Sequence, residues 1–155
     1  MAYPDFERKP TSSRPPPFNG EDKARLLLAD RDRERRSWYA SVLEGAGYQV
    51  VSVGEPAEAL AEIAAVLPML IIAHLSEPVA DGMALCRTLR KDSETRHLPV
   101  IVVTRFDDPY TREQIVRSGA SGILTERPGR ALLLRHVRRL MARAKTHART
   151  GPQES

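Results

Sequence analysis

From Lys23 onward, short uninterrupted apolar runs alternate with longer stretches in which apolar residues recur every three or four positions. "ARLLLA", Ala24 to Ala29, reads as a continuous apolar strand of the kind found in sheets covered on both faces. A helix follows in which Trp38, Val42, Leu43 and Ala46 share one side, and Gly47 supplies a left-handed stop. "YQVVSV", Tyr48 to Val53, is a second strand. Pro56 then opens a helix whose inward residues are Leu60, Ile63 and Ala64. "MLIIAHL", Met69 to Leu75, is the third strand. "DGMALCRTLRK" predicts a helix with Met83, Cys86 and Leu89 inward, and "LPVIVVT", Leu98 to Thr104, a fourth strand. A helix over about Thr111 to Ser118, stopped by Gly119, leads to a short fifth strand, Gly122 to Leu124. Pro128 or Gly129 precedes a long last helix reaching about Lys145.

Five strands alternating with five helices at this spacing predict an α/β fold with a doubly wound parallel sheet, because parallel neighbours need right-handed helical crossovers. In such sheets working groups gather beyond the carboxyl ends of the strands, where strand order reverses. Here those ends carry Asp30, Arg31 and Asp32, then His74, then Thr104 and Arg105, then Thr125, Glu126 and Arg127.

The flanks differ in character. Residues 1–22 are rich in proline and charge and poor in apolar periodicity, which predicts a disordered tail, with "SRPPPF" as a polyproline ligand the alternative. The expected organisation is therefore a tail over 1–22, one folded domain over 23–145, and a polar, loose end over 146–155.

Composition narrows the classes. A chain of 155 residues with 41% hydrophobic residues can bury one ordinary core. The longest apolar run, around Ile63 to Ala73, is broken by Pro68 and falls short of the ~20 residues that span a bilayer. The first residues lack the apolar core of a signal peptide, and the single Cys86 cannot close an intrachain disulfide, so the expected location is cytoplasmic. A net charge of +4 permits anionic partners without requiring them. No glycine-rich nucleotide loop follows the first strand, no serine elbow occurs, and His97, His136 and His147 have no metal-site spacing with Cys86, so no enzyme signature is present. Cys86 lies on an inward stripe and reads as core filling.

Four motifs in order, "LLLADRDRERR", "LIIAHLSEPVADG", "PVIVVT" and "SGASGILTERP", resemble the receiver domain of bacterial two-component response regulators. The likeness covers about Ala24 to Ala144. It implies a flavodoxin-like (βα)5 fold with strand order 2-1-3-4-5. In that family a histidine kinase supplies a phosphoryl group to an aspartate at the end of strand three, beside Mg²⁺ held by an acidic pair after strand one. A Thr or Ser after strand four and a Lys after strand five then grip the phosphoryl oxygens. By this resemblance Asp30 matches the first acid, Arg31 replaces the second, and His74 stands at the acceptor position. Thr104 matches the hydroxyl, Glu126 or Arg127 replaces the lysine, and Ile123 sits where a rotating aromatic is common. Asp81 and Gly82 match a dipeptide that serves the turn.

Mg²⁺ prefers hard oxygen ligands in near-octahedral geometry, so its binding is expected to be weak or absent and no other cofactor is expected. An acyl phosphate needs a carboxylate nucleophile, which His74 is not. Two roles remain for His74, a filler hydrogen-bonded to Asp30 or a backbone carbonyl and a titratable or phosphorylated group. Asp32 is expected to cap the first helix, Glu77 to be an exposed loop charge, and Arg31 and Arg105 to pair with Asp30 and Glu126. On the last helix Leu133, Val137, Leu140, Met141 and Ala144 form an apolar stripe, with Arg135, Arg138, Arg139 and Arg143 on another side. Solvation of that basic face, a partner or homodimer surface, and nucleic-acid binding are its alternatives. The resulting expectation is a stand-alone, degenerate receiver that acts by contact with a signalling protein such as a histidine kinase or an output protein. The alternatives are a basic nucleic-acid-associated regulator and a phosphorelay member that uses His74.

Overall fold

The computed structural model describes residues 23–75 and 79–150, without the side chains of 56, 79–81 and 144–150. The elements are β1 (Arg25–Ala29), α1 (Arg33–Gly45), β2 (Gln49–Val53), α2 (Pro56–Val66), β3 (Leu70–His74), α3 (Val79–Lys91), β4 (Val100–Thr104), α4 (Pro109–Arg117), β5 (Gly122–Thr125) and α5 (Arg130–Thr150). All five strands are parallel, in the order β2-β1-β3-β4-β5. The doubly wound sheet expected from the sequence is thus present in that order. The predicted tail over 1–22, Glu77 and residues 151–155 lie outside the described residues.

Alternate residues of each central strand feed two separate cores. Leu26 and Leu28 of β1 join Ile72 of β3 and Ile101 and Val103 of β4 under α1 and α5, meeting Tyr39, Leu43, Leu133, Val137 and Leu140. Leu27 and Ala29 face the other way with Ile71, Ala73, Val100 and Val102, against Ala59 and Ile63 of α2, Leu85, Cys86 and Leu89 of α3 and Ile115 of α4. Period-two alternation therefore gives hydrophobic residues to both faces, which is why the strands read as unbroken apolar runs.

Several boundaries and faces differ from expectation. On α1 the buried ring is Tyr39, whereas Trp38 is 42% exposed. Both fit a three-and-four spacing with Val42, but Tyr39 alone also stands four before Leu43 and seven before Ala46, at the centre of the stripe. On α2 the inward residues are Ala59 and Ile63, while Leu60 and Ala64 are exposed. The dipeptide Asp81–Gly82 lies inside α3, not in a turn before it. A Cβ at Gly82 would overlap the Leu75 side chain, so glycine serves a close approach there. α4 starts at Pro109, two residues early, because Asp108 caps it by accepting from the Thr111 amide at 2.8 Å. α5 continues five residues beyond Lys145, and its apolar stripe includes Leu134 as well. Gly47 and Gly119 take positive φ, +102° and +108°, as the helix stops required.

Candidate functional site

The ends of β1, β3, β4 and β5 converge on one side of the sheet. Asp30 follows β1 and its amide donates to the Val53 carbonyl at 3.1 Å, so the chain is still held by the sheet where the carboxylate begins. That carboxylate has no exposed surface. Its Oδ1 accepts from the Asp32 amide at 2.9 Å, and Arg35 forks onto it, Nη2 to Oδ1 at 2.7 Å and Nε to Oδ2 at 2.7 Å. This bidentate, charge-assisted geometry is the strong form of a side-chain hydrogen bond. It holds the Arg35 guanidinium above the ordinary arginine range.

Arg35 also reaches the rest of the pocket. Its Nη1 lies 3.5 Å from Glu126 Oε2 and 3.8 Å from Asp32 Oδ2, and its Nη2 lies 3.3 Å from His74 Nδ1. The other imidazole nitrogen, Nε2, is 2.7 Å from Glu126 Oε2. A guanidinium only donates and a carboxylate only accepts, so the network is satisfied by the tautomer with hydrogen on Nε2 and Nδ1 accepting from Arg35. The His74 side chain is 5% exposed. One cation thus joins three carboxylates and an imidazole from the β1–α1 turn, β3 and the segment after β5.

Asp32 caps α1 as expected, its Oδ1 accepting from the Arg35 amide at 2.8 Å, and that bond is the main cause of a lowered carboxyl pKa. Thr104 is fully buried, and its Oγ1 accepts from the Phe106 amide at 2.9 Å. Its carbonyl accepts from the Glu126 amide at 2.8 Å, which ties the β4 and β5 ends together. Arg31 does not enter the pocket. Its Nε pairs with Glu55 at 3.0 Å on the outside, ahead of α2. Arg105 lies over the Phe106 ring, 5.3 Å from its centroid. Arg35 is thus the cation on Asp30 and beside Glu126, where Arg31 and Arg105 were expected, and His74 has Glu126 as a partner. Arg127 is exposed at φ 60°. With Trp38, Tyr39 and Pro128 it lines an open cleft of about 410 Å³ next to the pocket.

Three residues that sequence reasoning passed over matter here. Arg35 stands three residues after the helix cap, on the first turn facing the strand ends, and the Asp32 cap was the signal that could have located it. Tyr39 is 1% exposed, and its hydroxyl has no hydrogen-bond partner among the described residues. Burial, aided by the negative charge of Asp30, pushes its pKa up to about 12. Arg36 contributes from outside, donating from Nη1 to the Asp30 carbonyl at 2.6 Å.

This arrangement at the carboxyl ends of a 2-1-3-4-5 sheet coincides with a family match over residues 26–138, the response regulator receiver domain. The chain belongs to that family. It is 34% identical over 117 residues to the response regulator PleD of Caulobacter vibrioides, covering 76% of this chain and 26% of that protein. It is 28% identical to protein PilH of Pseudomonas aeruginosa, covering 77% of this chain and 98% of that one. Among solved structures, a receiver domain of a histidine kinase from Syntrophus aciditrophicus superposes with a TM-score of 0.71 at 30% identity, covering 77% of this chain and 90% of that one. A response regulator from Chloroflexus aurantiacus gives 0.74 at 29%, covering 78% and 99%. The chain spans about a quarter of PleD and about half of the regulator RpaA of Synechocystis, so the match to these longer proteins is to one domain of each. Receiver domains are signalling modules that contact kinases and output proteins. No helix among the described residues is long and apolar enough to cross a membrane.

Proposed function

We propose that this receiver domain works without phosphorylation, as an interaction module of two-component signalling whose pocket is held in one state by an internal cation. The observation that carries the reading is the fork of Arg35 on Asp30, 2.7 Å at both oxygens. The family resemblance puts Mg²⁺ beside the first acid, yet here both Asp30 oxygens already serve a guanidinium, Arg31 is committed to Glu55, and the acceptor position offers an imidazole. Such a donor set does not suit a small, hard cation that demands oxygen ligands.

His74 as a phosphate acceptor has less support. One ring nitrogen faces the Glu126 carboxylate, which would repel an incoming phosphoryl group, and the other faces Arg35. With the pocket static, information resides in what the domain binds. Tyr110 and Val116 of α4, 71% and 59% exposed, are apolar anchors for a signalling protein or a second copy of the chain.

The test is an amide shift titration with millimolar Mg²⁺ and beryllofluoride. Unchanged shifts at Asp30, His74 and Thr104 are expected; saturable shifts at those amides would mean that the pocket still takes a metal and a phosphoryl group.

A further inference from the structure

The family match ends at residue 138, but α5 continues to Thr150. Between Arg130 and Thr150 the sequence holds six arginines and one lysine and not one Asp or Glu. The inward side of this helix, Leu133, Leu134, Val137, Leu140 and Met141, is buried in the domain core. Arg135, Arg138, Arg139 and Arg143 are all exposed, at spacings that keep them on one side. Some exposed arginines elsewhere find carboxylates, Arg31 with Glu55, Arg112 with Asp107 and Arg117 with Glu113. Among the described residues none of these four α5 arginines does. Charge is dense enough to affect a neighbour, for burial first, then Arg139 and Arg135, hold His136 below the ordinary histidine range.

Three kinds of anionic partner could meet such a face, and the structure distinguishes them. An amphipathic helix enters a lipid surface through its apolar side, and here that side is committed to the core. A protein partner is anchored by apolar or aromatic groups at the centre of the contact. Among the described side chains of α5, however, the exposed apolar residues are only Ala131, Leu132 and Ala142. A phosphate backbone needs no such anchor, because release of its condensed counterions supplies the affinity.

We propose that the exposed side of α5 binds the phosphate backbone of double-stranded nucleic acid. Arg135 to Arg143 covers roughly 12 Å of helix axis, about the width of the duplex major groove. Phosphates on both edges are thus within reach of long side chains. The contacts proposed are to phosphate, which carries no sequence information, so binding is independent of sequence. The inference goes beyond the phosphorylation-independent reading and does not depend on it.

The experiment is fluorescence anisotropy of a labelled mixed-sequence duplex with the full chain. With four phosphate contacts, affinity should fall about 100-fold between roughly 50 and 200 mM salt. Arg138→Ala with Arg139→Ala should reduce the logarithmic salt slope by about 2. Replacing all four arginines by Ala should abolish binding without changing the melting temperature, while replacing all four by Lys should preserve the slope, since phosphate accepts a point charge where a bidentate protein contact does not. Absence of binding at the lowest salt, or binding that survives the fourfold Ala change, overturns the proposal. Tighter capture of polyglutamate than of duplex at equal charge also overturns it, and assigns the face to an acidic protein. The magnesium and beryllofluoride titration reads the pocket separately, so either idea can fail alone.

Discussion

Arg35 donates to both oxygens of a carboxylate that has no exposed surface, so the fork satisfies a buried acid at both of its oxygens. Removing one partner of such a pair leaves a buried charge uncompensated, at a cost of about 3 to 5 kcal/mol. Arg35→Ala should therefore destabilise the domain by about 3 kcal/mol in urea unfolding. Arg31→Ala, which breaks the exposed pair with Glu55, should cost less than about 1 kcal/mol. Equal effects would refute the assignment of Arg35 as the internal cation. Tyr39 supplies a second contrast. Its raised pKa means that its contribution is fully present below the unfolded value, near pH 10, and is lost as pH rises through about 12. Tyr39 should be the last tyrosine to ionise in a phenolate absorbance titration. Tyr39→Phe removes a buried hydroxyl without a partner among the described residues, and it should leave stability unchanged or raise it by up to about 1 kcal/mol.

At the scale of elements, what locates the pocket is where helices begin and which way they turn. α1 starts at Arg33 because Asp32 accepts from the Arg35 amide, and this start puts the Arg35 side chain over the strand ends. α3 begins at Val79 and carries Gly82 against Leu75, immediately after His74. Gly82→Ala should force Leu75 out of its place. Overpacking of this kind costs typically about 1 to 3 kcal/mol, and the loss should appear in thermal melts together with shifted amides at His74 and Leu75. A neutral Gly82→Ala would mean that the α3 start is free to move. The C-terminal ends of α3 and α4 are joined in another way, with Arg90 donating to the Gly119 carbonyl at 2.9 Å and the Arg96 carbonyl at 2.9 Å.

For the whole molecule, the ionic network ties β1, α1, β3 and the segment after β5 into one body on the functional edge of the sheet. A single substitution at the acceptor position should not recover the family chemistry. In His74→Asp the new carboxylate would stand on the side of the Glu126 carboxylate, a like charge, while Arg35 still occupies Asp30. Incubation with a small-molecule phosphodonor should leave the intact mass of that variant unchanged, and a phosphorylated product would show that the network yields to the restored aspartate.

Alternation of apolar runs and amphipathic stretches was enough to determine the α/β class, the order of the ten elements and the end of the sheet at which Asp30, His74, Thr104 and Glu126 meet. These features rest on short-range periodicity and on the handedness of parallel crossovers, both of which are written along the chain. Caps were legible for the same local reason, as at Asp32. Tertiary structure alone decided that Arg35 and not Arg31 lies on Asp30, that Glu126 receives His74, and that Tyr39 turns inward while Trp38 does not. An arginine side chain can reach several acids, and one residue along a helix is a 100° rotation. The choice among them was made by the packing of α1 against the sheet, which brings together residues as far apart in sequence as Arg35, His74 and Glu126.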